Sequence, residues 1–313
     1  MNDAMDPLSE TLAMLRPRSY VTGTLSAGGA WALQIPAHDG IKCYVVVKGE
    51  LRVAVTGCDD TIRLQEGNCL LLPHGRPFVI GSDPSLLAID AQAFVAQAQS
   101  YNGVRTITAG DDVRVLGCHF DLGADGRVLL DVLPVSVLVK NDEGMRHCVN
   151  RIIHEMRTPL PGGALVARQA ASTLLVDALR LHLCDAAPRS RGWLAALADK
   201  QVRSAMSGIH QAPAHAWTLE ELARLSGMSR TAFANRFRQT VGETPMAYLT
   251  RWRLTLAANR LRDRREPVSR VASAVGYLSE SAFCAAFKRR FGHSPRHHTK
   301  IHRDLDDARP GRW

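Results

Sequence analysis

The feature that most limits how this chain can fold is an internal repeat. Ser229-Arg-Thr-Ala-Phe-Ala-Asn-Arg-Phe-Arg-Gln-Thr-Val-Gly-Glu-Thr-Pro245 returns 50 residues later as Ser279-Glu-Ser-Ala-Phe-Cys-Ala-Ala-Phe-Lys-Arg-Arg-Phe-Gly-His-Ser-Pro295. Ser, Ala, Phe, Phe, Gly and Pro recur in register, so one small structural unit is used twice. Upstream, Ala223 and Gly227 match Ala272 and Gly276, and Leu278 is one extra turn residue in the second copy.

Each copy spells helix, tight turn, helix. A short helix (Leu219 to Leu225; Val268 to Val275) ends at a glycine able to adopt the left-handed conformation that closes helices. Ser229 or Ser279 then caps the next helix by accepting from a free backbone N–H. Phe233 and Phe237, like Phe283 and Phe287, are four residues apart, so each pair shares one face and belongs to the core. The second helix closes at Gly242 or Gly292. This is a helix-turn-helix arrangement, which presents its second helix outward, toward a major groove if DNA is the partner.

Counting from the capping serine, five positions point outward on each second helix. They are Arg230, Thr231, Ala234, Asn235 and Arg238 in the first copy, and Glu280, Ser281, Cys284, Ala285 and Lys288 in the second. Between the copies, Met246 to Arg262 reads as one long helix that sets the separation of the two heads. Heads about one DNA turn apart, ~34 Å, enter successive grooves on one face.

Charge points the same way. Asp199 to Lys300 holds 18 Lys+Arg against 7 Asp+Glu, a net of +11, whereas residues 1–198 hold 18 against 20. A basic module joined to a near-neutral one implies a polyanionic partner for the basic part. Outward helical charges are commonly a solvated face and no more; two such faces repeated within one basic module favour a polyanion contact. RNA and an anionic membrane fit the charge as well as DNA does.

The segment from about Trp217 to His298 resembles the DNA-binding domain of the AraC/XylS family of transcription regulators. Tyr248-Leu-x-x-Trp252-Arg253-Leu254 and Gly276-Tyr-x-Ser-x-Ser-Ala-Phe-x-x-Ala-Phe-Lys288 carry the resemblance in register. It implies base contacts from the second, fifth and sixth positions of each reading helix: Thr231, Ala234 and Asn235, then Ser281, Cys284 and Ala285. Arg230, Arg236, Arg238, Glu280, Lys288 and Arg289 flank them as backbone contacts. Asn235 is able to make a paired hydrogen bond to adenine, and Thr231 to bond or touch a thymine methyl. Ala285 offers only apolar contact where the family often has a polar or basic residue. The first unit is therefore expected to discriminate sequence, and the second to grip backbone through Lys288 and Arg289.

Residues 20–140 read as β-rich. Cys43 to Val47, Leu51 to Val55, Cys69 to Leu72 and Phe78 to Ile80 are short β-branched runs, with Lys48-Gly49-Glu50 as a hairpin turn between the first two. Many short strands favour a barrel or sandwich. Gly67-Asn-Cys-Leu-Leu-Leu-Pro73-His-Gly75-Arg-Pro-Phe78 resembles the second cupin motif, with Phe78 where a histidine would stand. With no H-x-H pair near Cys43 to Glu50 either, the imidazole set that holds a cupin metal is missing. No metal and no cofactor are expected. A small apolar barrel is able to hold one small ligand, with Trp31, Tyr44 and Phe78 as candidate lining residues. His38, His74 and His119 are candidate titrating or metal-binding groups, against the plainer reading of surface or core histidines.

From Glu143 the pattern turns helical. Glu143 to Met156 is one helix; Ala164 to Cys184 is a longer, strongly apolar one, which packs either on a partner chain or within its own core. Asp185 to Arg191 reads as a linker. Seven scattered cysteines with no C-x-x-C spacing indicate buried, reduced thiols rather than a disulfide framework or zinc site. The N-terminus is acidic and lacks a signal-peptide pattern, and no apolar run approaches the roughly 18 residues of a membrane span. A cytoplasmic location is expected.

The expected fold is α+β: a cupin-like barrel followed by helices over residues 1–185, a linker at 186–198, an all-α DNA-binding domain at 199–300 and a tail at 301–313. The helix-turn-helix units span about 219–240 and 268–291. The expected function is a DNA-binding transcription regulator, homodimeric, with promoter DNA, RNA polymerase and a small-molecule or oxidant effector as partners. The rival is a cupin-type metalloenzyme, or a repair methyltransferase, carrying a DNA-binding appendage; the missing histidine pair and the missing cysteine zinc site argue against these. A third reading is a regulator with a purely structural barrel.

Overall fold

The computed structural model describes residues 6–15, 17–122, 130, 133–158, 160–186, 196–262 and 266–300. The expected linker falls mostly outside these residues, as does the tail from 301. The chain divides into two compact units.

The first unit is built from strands β1 (Arg18–Ala27), β2 (Ala32–Ile35), β3 (Ile41–Lys48), β4 (Glu50–Val55), β5 (Thr61–Gln65), β6 (Cys69–Leu72), β7 (Phe78–Gly81), β8 (Ile89–Asp90), β9 (Val104–Thr106), β10 (Val113–Asp121) and β11 (Val137–Val139). They form a six-stranded sheet, β11-β6-β3-β10-β1-β9, and a five-stranded sheet, β5-β4-β7-β2-β8. Pairing is antiparallel except for β1–β9 and β2–β8. Alternate residues face inward, so Tyr44, Val46, Leu70, Leu72 and Val115 of one sheet meet Leu33, Val53, Leu64, Phe78 and Ile80 of the other in one apolar core.

The Lys48-Gly49-Glu50 turn is not the hairpin that the sequence pattern suggests. β3 pairs with β10 and β6, whereas β4 pairs with β5 and β7, so Gly49 is a corner at which the chain leaves one sheet for the other. Its φ of +75° is a glycine conformation, and an added Cβ would lie 2.1 Å from Asp112 O. Alternating apolar residues look the same in a hairpin and in two strands that part at a corner.

The other face of the six-stranded sheet is apolar too, with Cys43, Val45, Cys69, Leu71, Leu116, Cys118 and Phe120 buried. After short α2 (Ala91–Gln97), the helices of this unit are α3 (Glu143–Arg157) and α4 (Gly163–Ala186). Asp142 caps α3 through Met145 N at 3.1 Å, and Ser19 Oγ meets Ser172 Oγ at 2.7 Å, fastening α4 to β1. Ala167, Ala171, Leu174, Leu175, Ala178 and Leu179 of α4 are buried by this chain alone. Most of the apolar stripe of α4 is thus covered within its own core, while Leu165 is exposed and Leu181 half-buried. Cys58 and Cys184 are exposed, so not every thiol is interior.

The second unit is helical: α5 (Lys200–Gln211), α6 (Leu219–Leu225), α7 (Arg230–Val241), α8 (Pro245–Arg262), α9 (Val268–Ala274) and α10 (Glu280–Phe291). A short N-terminal helix that the sequence pattern did not bring out, α1 (Pro7–Leu15), groups with these helices and not with the sheets that follow it. Leu8, Leu12 and Leu15 are buried, and α1 packs against α5 and α8. Among the described residues no helix is long and apolar enough to cross a membrane.

Candidate nucleic-acid interface

Two helices of matching construction carry the site. Thr218 opens the first unit with a capping box: its side chain accepts from Glu221 N at 3.2 Å, and Glu221 Oε2 accepts from Thr218 N at 2.8 Å. After the turn at Gly227, Ser229 Oγ accepts from Ala232 N at 3.3 Å and starts α7. Ser279 Oγ does the same for Ala282 N at 3.2 Å and starts α10. Both helices end on left-handed glycines, Gly242 at φ +90° and Gly292 at φ +80°. The four phenylalanines are fully buried, with ring centroids 5.6 Å apart in each pair.

With those faces inward, the opposite faces point to solvent. Arg230, Thr231, Asn235 and Arg238 are exposed on α7, and Glu280, Ser281, Ala285, Lys288 and Arg289 on α10. Ala234 and Cys284 hold equivalent places and are half-buried in both copies. Burial and then Glu280 push the Cys284 thiol up, so it stays protonated and offers only a weak polar contact.

Arg236, one of the expected backbone contacts, is exposed and has a protein partner. Its Nε donates to Asp199 Oδ2 at 2.7 Å, which turns the guanidinium sideways onto the start of α5. Asp199 is also the cap of α5, its side chain accepting from Gln201 N and Val202 N. Arg251 is likewise held by Glu243 at 2.7 Å. By contrast Arg230, Arg238, Lys288 and Arg289 make no ion pair among the described residues. Arg290, which counting outward positions from the cap passes over, is a further exposed base in the last turn of α10. The helix starts differ as well: α7 opens with Arg230, α10 with Glu280.

The two heads are locked to each other through α8. Arg253 donates from Nε to Pro213 O at 2.6 Å and from Nη2 to His215 O at 2.7 Å. Gly276, in the turn of the second unit, sits so close to that loop that an added Cβ would lie 2.8 Å from Ala214 Cα and 2.9 Å from the Arg253 guanidinium.

In the sheet unit, Trp31, Tyr44 and Phe78 all belong to the packed apolar core, with Tyr44 and Phe78 edge-to-face at 5.7 Å. His74 Nε2 lies 2.7 Å from Leu133 O. His38 and His119 are half-buried at one end of the sheets.

Residues 6–184 match the family model of a cupin, and residues 222–300 match that of a helix-turn-helix domain. A putative AraC-like transcription regulator of Streptomyces lividans is 39% identical over 93% of this chain and 97% of its own length. One from Streptomyces antibioticus is 40% identical over the same shares. The HTH-type transcriptional regulator AlkR of Acinetobacter baylyi is 29% identical over 86% of this chain and 91% of its own. The matched stretch takes in both the sheets and the tandem helices, and by it the chain belongs to the AraC-like transcription regulators, whose helix-turn-helix domain binds double-stranded DNA.

Proposed function

We propose that α7 and α10 enter neighbouring major grooves of a promoter and that the first of them does most of the sequence discrimination. Thr231, Ala234 and Asn235 read bases on α7, flanked by Arg230 and Arg238. Ser281, Cys284 and Ala285 face bases on α10, where only Ser281 has a strong hydrogen-bonding group, while Lys288, Arg289 and Arg290 hold phosphates. The observation that carries this is the pair of identically capped helices whose outward basic side chains form no ion pair among the described residues.

The DNA-binding part takes residues 199–300, with α1 packed on it, and the signal-receiving part takes the sheets and α3–α4 up to residue 185. The protein acts in the cytoplasm as a homodimer that works with RNA polymerase under a small-molecule or oxidant signal, with no catalytic step. Selection of bound sites from random DNA tests the assignment. Asn235→Ala is expected to relax the preference at one position of one half-site by about 1–3 kcal/mol. An unchanged binding motif after that substitution overturns it.

A further inference from the structure

The inward side of the six-stranded sheet changes character at one end. Along β3 the inward positions run Val46, Tyr44, Lys42, and along β10 they run Val115, Gly117, His119; Val46, Tyr44 and Val115 are core. Lys42 and His119 are direct cross-strand partners, so their side chains leave the same face about 5 Å apart. His38, on the loop before β3, stands edge-on to Phe78 with ring centroids 6.0 Å apart. Its backbone N–H is pinned to Gly75 O at 3.0 Å. Tyr20, opposite His119 on β1, stacks on that imidazole at 6.1 Å. Three bases are gathered where the apolar filling ends.

Buried polar groups are ordinarily paired, and an exception calls for an explanation. Nδ1 of His119 is buried with no hydrogen-bond partner among the described residues, and both ring nitrogens of His38 are buried outside good hydrogen-bond geometry, with only the backbone of Asp39 and Gly40 close enough to favour the protonated ring. Lys42 is half-buried and forms no ion pair among the described residues. Burial holds His119 down at about 4, repulsion from Lys42 and His38 adds to that, and Asp121 and Asp39 pull weakly the other way. Burial likewise lowers His38 and Lys42. The three side chains of the cluster are all bases, and neither Asp39 nor Asp121 forms an ion pair with any of them among the described residues. A cation does not fit it: an ammonium stands among the imidazoles, and among the described residues no three His, Cys, Asp or Glu side chains are grouped to hold a metal ion.

We propose that His38, Lys42 and His119 form an oxyanion site at this end of the barrel, taking the carboxylate or phosphate group of a small molecule. Lys42 supplies the charge and the imidazoles donate N–H groups. An anion here favours the protonated imidazoles, so binding draws protons from solvent. That the bound molecule is the regulatory signal rests on the signal-receiving reading above; the binding itself does not.

The test is calorimetry on the full chain with inorganic phosphate and with acetate, against chloride at equal ionic strength, in two buffers of different ionisation enthalpy. Saturable binding of at least one probe with net proton uptake is expected. A phosphate-only response assigns a phosphoryl group, an acetate-only response a carboxylate. Lys42→Met should weaken binding about tenfold or more with its thermal melting unchanged. His119→Gln, which keeps a donor but cannot titrate, should still bind and take up fewer protons. No saturable binding of either probe, wild-type affinity in Lys42→Met, or undiminished proton uptake in His119→Gln overturns the site. Affinity for a selected DNA site is measured alongside: binding that leaves it unchanged upholds the anion site and removes its role in regulation.

Discussion

His210 of α5 lies flat on Trp252 of α8, ring centroids 3.7 Å apart and planes 14° from parallel. Its Nε2 is 2.7 Å from Tyr248 Oη, and Glu10 Oε2 of α1 lies 3.0 Å from Nδ1 but outside hydrogen-bond geometry. One imidazole thus joins the N-terminal helix to the helix that connects the two DNA-reading heads. Burial lowers His210 below the ordinary imidazole value of 6.5, Glu10 and then Asp6 oppose the fall, and Arg251 adds to it. The folded chain keeps this ring neutral where the unfolded chain binds a proton. Its contribution to stability is therefore complete above pH 6.5 and declines as pH falls from there toward the folded value. Urea midpoints taken at falling pH check this, and His210→Gln should flatten the decline. An equal decline in both proteins would remove His210 as its source.

Phosphate contacts predict salt behaviour. Lys288→Ala and Arg289→Ala should each weaken binding to all DNA sequences alike and lower the slope of log affinity against log salt by about 1. Arg236→Ala should leave that slope as it is, because its guanidinium is committed to Asp199; with the Arg half-exposed and the Asp largely covered, losing the pair costs about 0.5–1 kcal/mol of stability. Binding titrations at several salt concentrations separate the two behaviours.

Gly276→Ala and Gly242→Ala make a matched pair. Both glycines have positive φ, but only Gly276 has backbone and guanidinium within 3 Å of the added Cβ. Gly242→Ala should cost about 1 kcal/mol from the left-handed backbone alone. Gly276→Ala should cost about 2–4 kcal/mol and also weaken DNA binding, since moving that turn moves the second head. Denaturation and DNA affinity measured together check both halves.

Phe78 packs at the centre of the core between the two sheets, fully buried. Phe78→Ala should destabilise the sheet unit by about 3–5 kcal/mol, read as an earlier unfolding transition while the helical unit melts as before. A ligand-lining role without a packing role predicts near wild-type melting instead.

The heads were legible in the sequence because their signals are local: a capping serine, a closing glycine and phenylalanines four apart each act within one turn of helix. The strands at Cys69–Leu72 and Phe78–Gly81 were legible for the same reason. Gly49 was misread because hairpin and corner differ only in which distant strand each side meets. Arg236 reads as a flanking backbone contact because nothing within its own helix announces Asp199, 37 positions earlier. The cluster of His38, Lys42 and His119 needed the β3–β10 register, which brings together residues far apart in the chain. α1 is hard to read because nine residues carry little periodicity, and its partners lie roughly two hundred positions or more away.

That placement of α1 makes the DNA-reading body discontinuous along the chain. On the ribosome its first wall emerges early and its remainder last, so the body closes only after the intervening sheets have been made. A fragment cut at residue 199 would carry both reading helices and yet leave bare the α5 and α8 surface that Leu8, Leu12 and Leu15 cover. Fragments that retain residues 6–15, joined by a flexible tether, should be the more soluble and the more resistant to protease.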